Sequence, residues 1–310
     1  MHALVWYRDF EELAWFKGLS KSQQRETIIN HIRVVIDHYK NCDNIIGWDV
    51  VNEALDDKGS ADGSVVLRKS YLTDTFPDII DVAFKTAREA GPNIKMYYND
   101  YSTQVARWGH AKNQLSLVKD LLKRNIPIDG VGFQMHIDEL DQQNLSVEEI
   151  RSNLKQYTDL GLEVQITELD VKCPSPCNGQ KQAEMYRNFL EACATLSGCT
   201  AFVVWGIFDH ISYLSEDNRH LFDRENKPKP VYDMMANYLK GLTGIPQRSV
   251  RYLSETTSNK QPSVEQGVPA QQQSQDDKQT SVYSQGRPGH ANTTQTSPSP
   301  KMRKCAAKSG

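Results

Sequence analysis

Six times along the first 244 residues, a short run of apolar and β-branched residues is followed by a polar loop and a stretch of helical periodicity. In the first such stretch Ile28, Ile32 and Ile36 fall on one face of a helix, and Ser20 with Gln23 forms a capping-box start. The apolar runs lack polar alternation, so they favour buried strands of a parallel sheet with helices on its faces. The predicted strands are 3–6, 45–51, 94–98, 130–135, 162–167 and 201–205, and the predicted helices are 21–40, 75–90, 107–125, 147–160, 180–196 and 230–241.

Two parallel architectures share this alternation, and the positions of polar residues distinguish them. A doubly wound sheet gathers its chemistry at one switch point, usually beside a glycine-rich turn. The sequence has no GxGxxG or GxxxxGK motif, and we interpret Gly130 and Gly132 as part of a turn leading into a strand. In a barrel, functional residues come from the C-terminal ends of several strands around one rim. Such residues follow five of the predicted strands, namely Asn52, Glu53, Asn99, His136, Glu168 and the segment 206–209. The sequence therefore predicts an α/β protein with the TIM (β/α)8 barrel fold.

Two of these residues, Glu53 and Glu168, are glutamates at the ends of well-separated strands. Cleavage of a glycosidic bond with retention of configuration needs two carboxyl groups about 5–5.5 Å apart, one as acid and then base, the other as nucleophile. Two strand-end glutamates that face one pocket meet this demand. A glutamate at a strand end is also a common neighbour of a helix N-terminus or a partner in a loop salt bridge, and the residues by themselves leave that alternative open.

Several segments resemble one family of glycosidases. Residues 48–54 (WDVVNEA) resemble the acid/base strand of the family 10 glycoside hydrolases, and residues 166–170 (ITELD) resemble their nucleophile strand. The likeness covers residues 2–243, and WDVVNEA is its most specific part. Further matches occur in the family's order at 2–6 (HALVW), 98–101 (YNDY), 132–136 (GFQMH), 204–206 (VWG), 221–223 (LFD) and 227–230 (KPKP).

The resemblance implies a retaining endo-β-1,4-xylanase. Glu53 would be the general acid and later the general base, and Glu168 would form the glycosyl-enzyme. The other implied site residues surround these two. Asn52 would bind the 2-hydroxyl of the sugar, His136 would orient Glu168 with Asp170 behind it, Gln134 and Asn99 would line the cleft, Trp205 would form its apolar floor, and His2 and Trp6 would contact the sugar on the glycone side.

Neither a metal nor a cofactor is expected. Asp56, Asp57 and Asp62 lack the spacing of a calcium loop and are interpreted as a solvated turn. The net charge of -3 and the pI near 6.3 argue against nucleic-acid or anionic-membrane partners, and no apolar run approaches the roughly 20 residues of a membrane span. We expect a monomer whose partner is the polysaccharide xylan.

The front of the chain departs from the family pattern. Segment 2–6 corresponds to the third barrel strand of the family, so the first two βα units are absent and six of eight remain. Strands 3–6 and 201–205 would then be unpaired apolar edges. We expect Met1 to be an internal methionine of a longer barrel. Smaller departures are Tyr7 in place of a histidine, Asp9 in place of a glutamine, and Ser212 with Tyr213 in place of a Ser-Trp pair.

The spacing of the cysteines indicates in which kind of cellular compartment the protein works. Cys173 and Cys177 bracket a Pro-Ser-Pro turn, and Cys193 lies six residues before Cys199. Two local disulfides are expected in an oxidising compartment, with Cys305 left over, and four reduced thiols remain the alternative. We expect secretion, although residues 1–6 do not have the pattern of a signal peptide.

The composition changes near Gly244. Residues 245–310 contain no Trp or Phe and are rich in Ser, Thr, Gln and Pro, which predicts a disordered tail after a catalytic domain at 1–244. A carbohydrate-binding module is disfavoured because its aromatic platforms are missing.

Two other functions compete with the xylanase hypothesis. The first is a catalytically dead fragment or a non-catalytic glycan binder, since loss of two barrel units would be able to abolish turnover. A related retaining cellulase is disfavoured, because those enzymes carry Asn-Glu-Pro at the acid/base position and Ala54 follows Glu53 here.

Overall fold

A parallel sheet forms the centre of the computed structural model, which describes residues 1–42, 44–138, 145–211 and 215–242. Neighbouring strands follow one another in chain order, apart from a short strand that pairs with the end of β6. Every strand pair is parallel. The strands are β1 (Val5–Trp6), β2 (Gly47–Asn52), β3 (Lys95–Asp100), β4 (Gly130–Phe133), β5 (His136–Ile137), β6 (Glu163–Val171) and β7 (Cys199–Val204).

Helices connect and cover these strands. A capping box begins the first long helix as predicted, since the Ser20 side chain accepts from the Gln23 N–H and the Gln23 side chain accepts from the Ser20 N–H. The helices are α1 (Tyr7–Glu11), α2 (Ala14–Lys17), α3 (Lys21–Tyr39), α4 (Tyr71–Thr75), α5 (Ile79–Ala90), α6 (Gly109–Lys123), α7 (Val147–Thr158), α8 (Gly179–Ala194) and α9 (Pro230–Gly241), with a 3-10 turn at Ser215–Asp217. Helices α3 and α5 to α9 correspond to the six predicted ones, whereas α1, α2 and α4 were not predicted.

The described residues therefore contain six strand–helix units of the predicted TIM-barrel architecture. Strands β2, β3 and β4 are buried almost throughout. The prediction that the first and last strands form the edges is confirmed, because within the described ranges β1 pairs with β2 alone and β7 with β6 alone. Apolar surface is exposed along the β7 edge, where Val203 is 49% and Trp205 is 39% exposed.

Two disulfides confirm the predicted cysteine pairs. Cys173 is bonded to Cys177 with a Cα–Cα distance of 5.0 Å, and Cys193 to Cys199 with 5.3 Å. None of the cysteines in the described ranges is free. Cys305 lies outside those ranges.

Gly130 and Gly132 both lie within β4, in agreement with the predicted strand at 130–135, so the interpretation that they belong to a turn before this strand was wrong. A Cβ atom at Gly132 would overlap the side-chain oxygen of Asn99 on the neighbouring strand. Glycine at this position therefore leaves space for an asparagine side chain next to the sheet.

Some expectations fall outside the described residues. They are the disordered tail at 245–310 and the replacement at Ser212 and Tyr213. The described residues belong to one compact unit. Among their helices, none combines the length and apolar character that a bilayer crossing requires.

Candidate active site

The C-terminal ends of the strands surround a cleft of about 890 Å³. Eight of the ten predicted site residues line it, and Asn99 and Asp170 are buried directly behind its wall. The eight lining residues are His2, Trp6, Asn52, Glu53, Gln134, His136, Glu168 and Trp205. Among these eight, residues up to 203 positions apart in sequence thus meet in one space, because parallel strands end at the same rim.

The carboxyl group of Glu53 is held from three directions. Its Oε2 accepts a hydrogen bond from Trp6 Nε1 at 3.0 Å. Its Oε1 accepts from Asn52 Nδ2 at 3.2 Å and from Gln134 Nε2 at 3.1 Å. These donors come from three different strand ends, so the position of the carboxyl group depends on the assembled sheet.

The carboxyl group of Glu168, which is only 5% exposed, faces the same cleft. Its Oε1 accepts a hydrogen bond from Asn99 Nδ2 at 2.9 Å and lies 4.0 Å from His2 Nδ1. Its Oε2 lies 3.3 Å from His136 Nε2. Both carboxylate oxygens therefore have a nitrogen partner.

Side-chain amides connect the two carboxyl groups. Asn52 Oδ1 accepts from Gln134 Nε2 at 3.2 Å and from Asn99 Nδ2 at 3.0 Å. Since Gln134 also donates to Glu53 and Asn99 also donates to Glu168, a continuous hydrogen-bonded relay runs from one carboxyl group to the other. Two carboxyl groups that share one cleft and one relay form an arrangement that can act on a single bond.

His136 lies between two carboxylates. Its Nε2 faces Glu168 and its Nδ1 lies 3.1 Å from Asp170 Oδ2. Burial acts to lower the pKa of His136, but hydrogen bonds to Asp170 and Glu168 outweigh it and raise the pKa to about 9. The imidazolium is therefore the form that donates to both carboxylates at neutral pH.

Stability should depend on pH through this histidine. The folded-state pKa lies above the unfolded value, so the stabilisation is complete below about pH 6.5 and is lost as the pH rises through about 9. We expect the difference in unfolding free energy between the wild type and His136→Gln to shrink by on the order of 3 kcal/mol across that interval. Urea unfolding between pH 6 and 10 measures it, with His38→Gln on the exposed face of α3 as the control. A difference that does not change with pH would contradict the assignment.

His2 and Trp205 lie close to Glu168 and His136. Asp49 Oδ2 lies 3.0 Å from His2 Nδ1, and this hydrogen bond raises the pKa of His2 against the effect of burial. The Trp205 ring meets both His136 and His2 edge-on, with centroid distances of 6.2 and 6.5 Å. Trp205 thus forms an apolar wall beside two imidazole rings.

Sequence reasoning missed Arg219, which is 3% exposed and lines the cleft. Its guanidinium donates to Asp170 Oδ1 at 2.9 Å, to Asp217 Oδ2 at 3.0 Å and to Asp138. Burial tends to lower the pKa of Arg219, but these carboxylates outweigh it and raise it. Arg219 therefore links Asp170, the partner of His136, to two further carboxylates. Its sequence neighbourhood carries no signal of this role.

Loss of Arg219 should destabilise the fold. Arg219→Met is expected to lower the free energy of unfolding by about 3–5 kcal/mol, because Asp170 would stay buried without this cation. Arg219→Lys keeps the charge but not the forked geometry, so its free energy of unfolding should lie between those of the wild type and Arg219→Met. In the control Arg33→Met, an exposed pair with Glu89 at 3.3 Å is broken, and a loss below about 1 kcal/mol is expected. Equal losses for Arg219→Met and Arg33→Met in urea unfolding would contradict the prediction.

The remaining departures from the family pattern also reach the cleft. Tyr7 and Asp9 line it together with Arg68. The Arg68 guanidinium lies over the Tyr7 ring at 5.0 Å, and burial raises the pKa of Asp9. Within the described residues, no group of three or more His, Cys, Asp or Glu side chains is placed to hold a metal ion.

Comparison with protein families gives a match over residues 1–238 to the model described as "Glycosyl hydrolase family 10". The chain is 41% identical over 240 residues to endo-1,4-beta-xylanase B of Neocallimastix patriciarum. This match covers 77% of the chain and 27% of that relative. The chain is 32% identical to endo-1,4-beta-xylanase A of Humicola insolens, covering 82% of the chain and 66% of that relative. It thus spans about a quarter of the first of these proteins and two thirds of the second.

Solved structures show the same relationship. The native xylanase 10B of Thermotoga maritima superimposes with a TM-score of 0.68 and 32% identity, covering 77% of this chain and 73% of that chain. Xylanase 10B of Thermotoga petrophila RKU-1, solved in complex with xylobiose, superimposes with a TM-score of 0.68 and 31% identity, covering 77% of this chain and 72% of that chain.

Proposed function

The chain belongs to glycosyl hydrolase family 10, and on that premise we propose that it hydrolyses internal β-1,4-xylosidic bonds of xylan with retention of anomeric configuration. One observation carries the proposal. Glu53 and Glu168, which end different strands, line one cleft and are joined by the relay through Gln134, Asn52 and Asn99.

In the first step Glu168 acts as the nucleophile. One of its oxygens attacks the anomeric carbon while the bond from that carbon to the leaving oxygen breaks, and the proton of Glu53 passes to that oxygen. Asn99 and His136 hold the attacking carboxylate in place. Because His136 is held in turn by Asp170, the nucleophile has little freedom to rotate away.

In the second step Glu53 acts as a base. It takes a proton from a water molecule, whose oxygen attacks the anomeric carbon and breaks the ester bond to Glu168. Two displacements on opposite faces restore the original configuration. Trp6, Asn52 and Gln134 keep the carboxyl group of Glu53 in position for both proton transfers.

Sugar binding would rest on the residues around this pair. We assign the glycone side to His2 and Trp6, the apolar wall to Trp205, and the contact with the 2-hydroxyl to Asn52. Tyr7 and Asp9 stand at cleft positions where the family pattern has histidine and glutamine, so they would change the sugar preference next to the scissile bond. The reaction as written needs no cofactor.

The setting of the enzyme is part of the proposal. Disulfides at Cys173–Cys177 and Cys193–Cys199 favour an oxidising compartment and therefore secretion. We assign catalysis to residues 1–244, acting as a monomer on the polysaccharide.

The stereochemistry of the product tests the proposal. Proton NMR of xylohexaose incubated with the 310-residue chain should show the β-anomer of the new reducing end before mutarotation. Initial formation of the α-anomer would overturn the double displacement. Calorimetric binding of xylohexaose without any new reducing ends would instead support a non-catalytic glycan binder.

A further inference from the structure

The backbone of Glu53 adopts a conformation that residues other than glycine rarely take. Its φ is +57°, in the left-handed region where the Cβ atom crowds the following carbonyl oxygen. A residue stays in this region when surrounding contacts hold it there, and such residues cluster at functional sites. The direction in which the Glu53 side chain leaves the backbone depends on this turn.

Hydrogen bonds hold both peptide groups around the turn. The Glu53 N–H donates to Asn99 O at 3.0 Å, and Glu53 O accepts from Arg68 Nε at 3.1 Å. The next N–H, that of Ala54, donates to the hydroxyl oxygen of Tyr98 at 3.0 Å. Ala54 is 3% exposed, so without Tyr98 its N–H would be buried away from water.

The Tyr98 hydroxyl is itself held in one orientation. It donates to Asp100 Oδ2 at 2.5 Å, so its lone pairs are directed elsewhere and one of them accepts from Ala54. His110 Nε2 lies 3.1 Å from the same Asp100 oxygen. Tyr98, Asp100 and His110 are all at most 2% exposed, so this cluster is closed to solvent and does not line the cleft.

We propose that Tyr98 is a positioning residue for Glu53: its hydroxyl fixes the left-handed turn at Glu53 and Ala54 and thereby aims the Glu53 carboxyl group at the leaving oxygen. This inference rests on the proposed role of Glu53 as acid and base. Side-chain donors alone do not set the Cα position from which the carboxyl group reaches into the cleft. An error of about 1 Å at a reacting group can cost about 100-fold in rate.

Tyr98→Phe removes the hydroxyl and keeps the ring. The substrates are two aryl β-xylobiosides, one releasing 2,4-dinitrophenol, which leaves without a proton, and one releasing phenol, which needs one. We expect kcat/KM for the phenyl substrate to fall by about 10- to 100-fold and for the dinitrophenyl substrate by less than about 3-fold, because general acid catalysis is needed only for the poor leaving group. Equal losses on both substrates would overturn the inference and indicate a merely structural role.

Two comparisons make the result specific. Tyr157→Phe removes the hydroxyl of another fully buried tyrosine, outside the cleft, and should affect both substrates alike. In a Glu53→Gln background, Tyr98→Phe should change the phenyl rate by less than about 2-fold, since a residue acting through Glu53 loses its effect with it. An undiminished effect of Tyr98→Phe in that background would also overturn the inference.

A second variant covers the case in which Tyr98→Phe does not fold. Asp100→Asn weakens the acceptor of the Tyr98 hydroxyl and should give the same leaving-group pattern at smaller amplitude. A uniform loss for this variant counts against the inference. If the wild type releases neither aglycone, the proposed function fails and the role of Tyr98 fails with it; if the wild type is active and only the leaving-group pattern is missing, the role of Tyr98 alone is overturned.

Discussion

Glu168→Ala is expected to lower kcat on xylan by about 10⁴-fold or more, because the covalent step then lacks its nucleophile. Asn99 and His136 would keep their positions beside the vacated space, since each has further partners in Asn52 and Asp170. The loss should therefore appear in turnover with little change in sugar affinity. Initial rates of reducing-end release and calorimetric binding of xylohexaose measure the two quantities separately.

Glu163→Gln is a matched control for this variant. Glu163 begins the same strand, β6, and its carboxylate binds Tyr97 and Lys95 at the end away from the cleft. We expect its kcat to stay within about 2-fold of the wild type, as for a substitution remote from the reacting atoms. A Glu168→Ala protein that keeps more than about a tenth of wild-type turnover would refute the assignment of the nucleophile.

Glu53→Ala is expected to show the second-largest effect, and its size should depend on the leaving group. On xylan, kcat/KM should fall by about 10²- to 10⁴-fold, the usual contribution of a positioned acid. On 2,4-dinitrophenyl β-xylobioside the first step should be nearly intact, so the glycosyl-enzyme accumulates because no base activates water. A burst of dinitrophenol followed by slow turnover is the expected time course.

An added small anion should restore turnover of this variant. Azide can occupy the space left by the Glu53 side chain and attack the anomeric carbon without base assistance, breaking the ester to Glu168 and giving a β-xylobiosyl azide. Glu191→Ala, on the outer helix α8, serves as the control. Its rates relative to the wild type should not depend on the leaving group, and azide should not accelerate it. Failure of azide to accelerate Glu53→Ala, or an α-configured azide product, would count against the double displacement.

The main elements of the fold could be predicted because each repeats one local pattern. Buried parallel strands are continuous apolar runs, and the long helices show one apolar face, so all six units were found. Helices α1, α2 and α4 are four or five residues long, which is too short for a helical period to show. Gly130 and Gly132 were misinterpreted because the need for glycine comes from the neighbouring strand β3, where the Tyr97 ring approaches Gly130 and the Asn99 side chain approaches Gly132.

The site divides in the same way. Residues at the predicted strand ends within a specific motif, such as Asn52 with Glu53, were expected in the site because that motif resembles the family 10 glycoside hydrolases. Asp49 lies in the same motif, yet its contact with His2 bridges 47 residues and left no pattern in the sequence. Arg219 and Tyr98 act through contacts with distant segments, and neither contact has a sequence signature. Only the assembled barrel strands bring these groups together.

The relay between the carboxyl groups also determines which side-chain amide has an N–H group left to bind the substrate. Each primary amide carries two N–H donors. Asn99 commits both, to Asn52 and Glu168, and Gln134 commits both, to Asn52 and Glu53. Asn52 gives one hydrogen to Glu53, and the described residues provide no acceptor for the other. In the role proposed for Asn52, this hydrogen would bind the oxygen at carbon 2 of a xylose unit, and a 2-deoxy sugar would leave it without an acceptor while every other donor in the relay stayed satisfied.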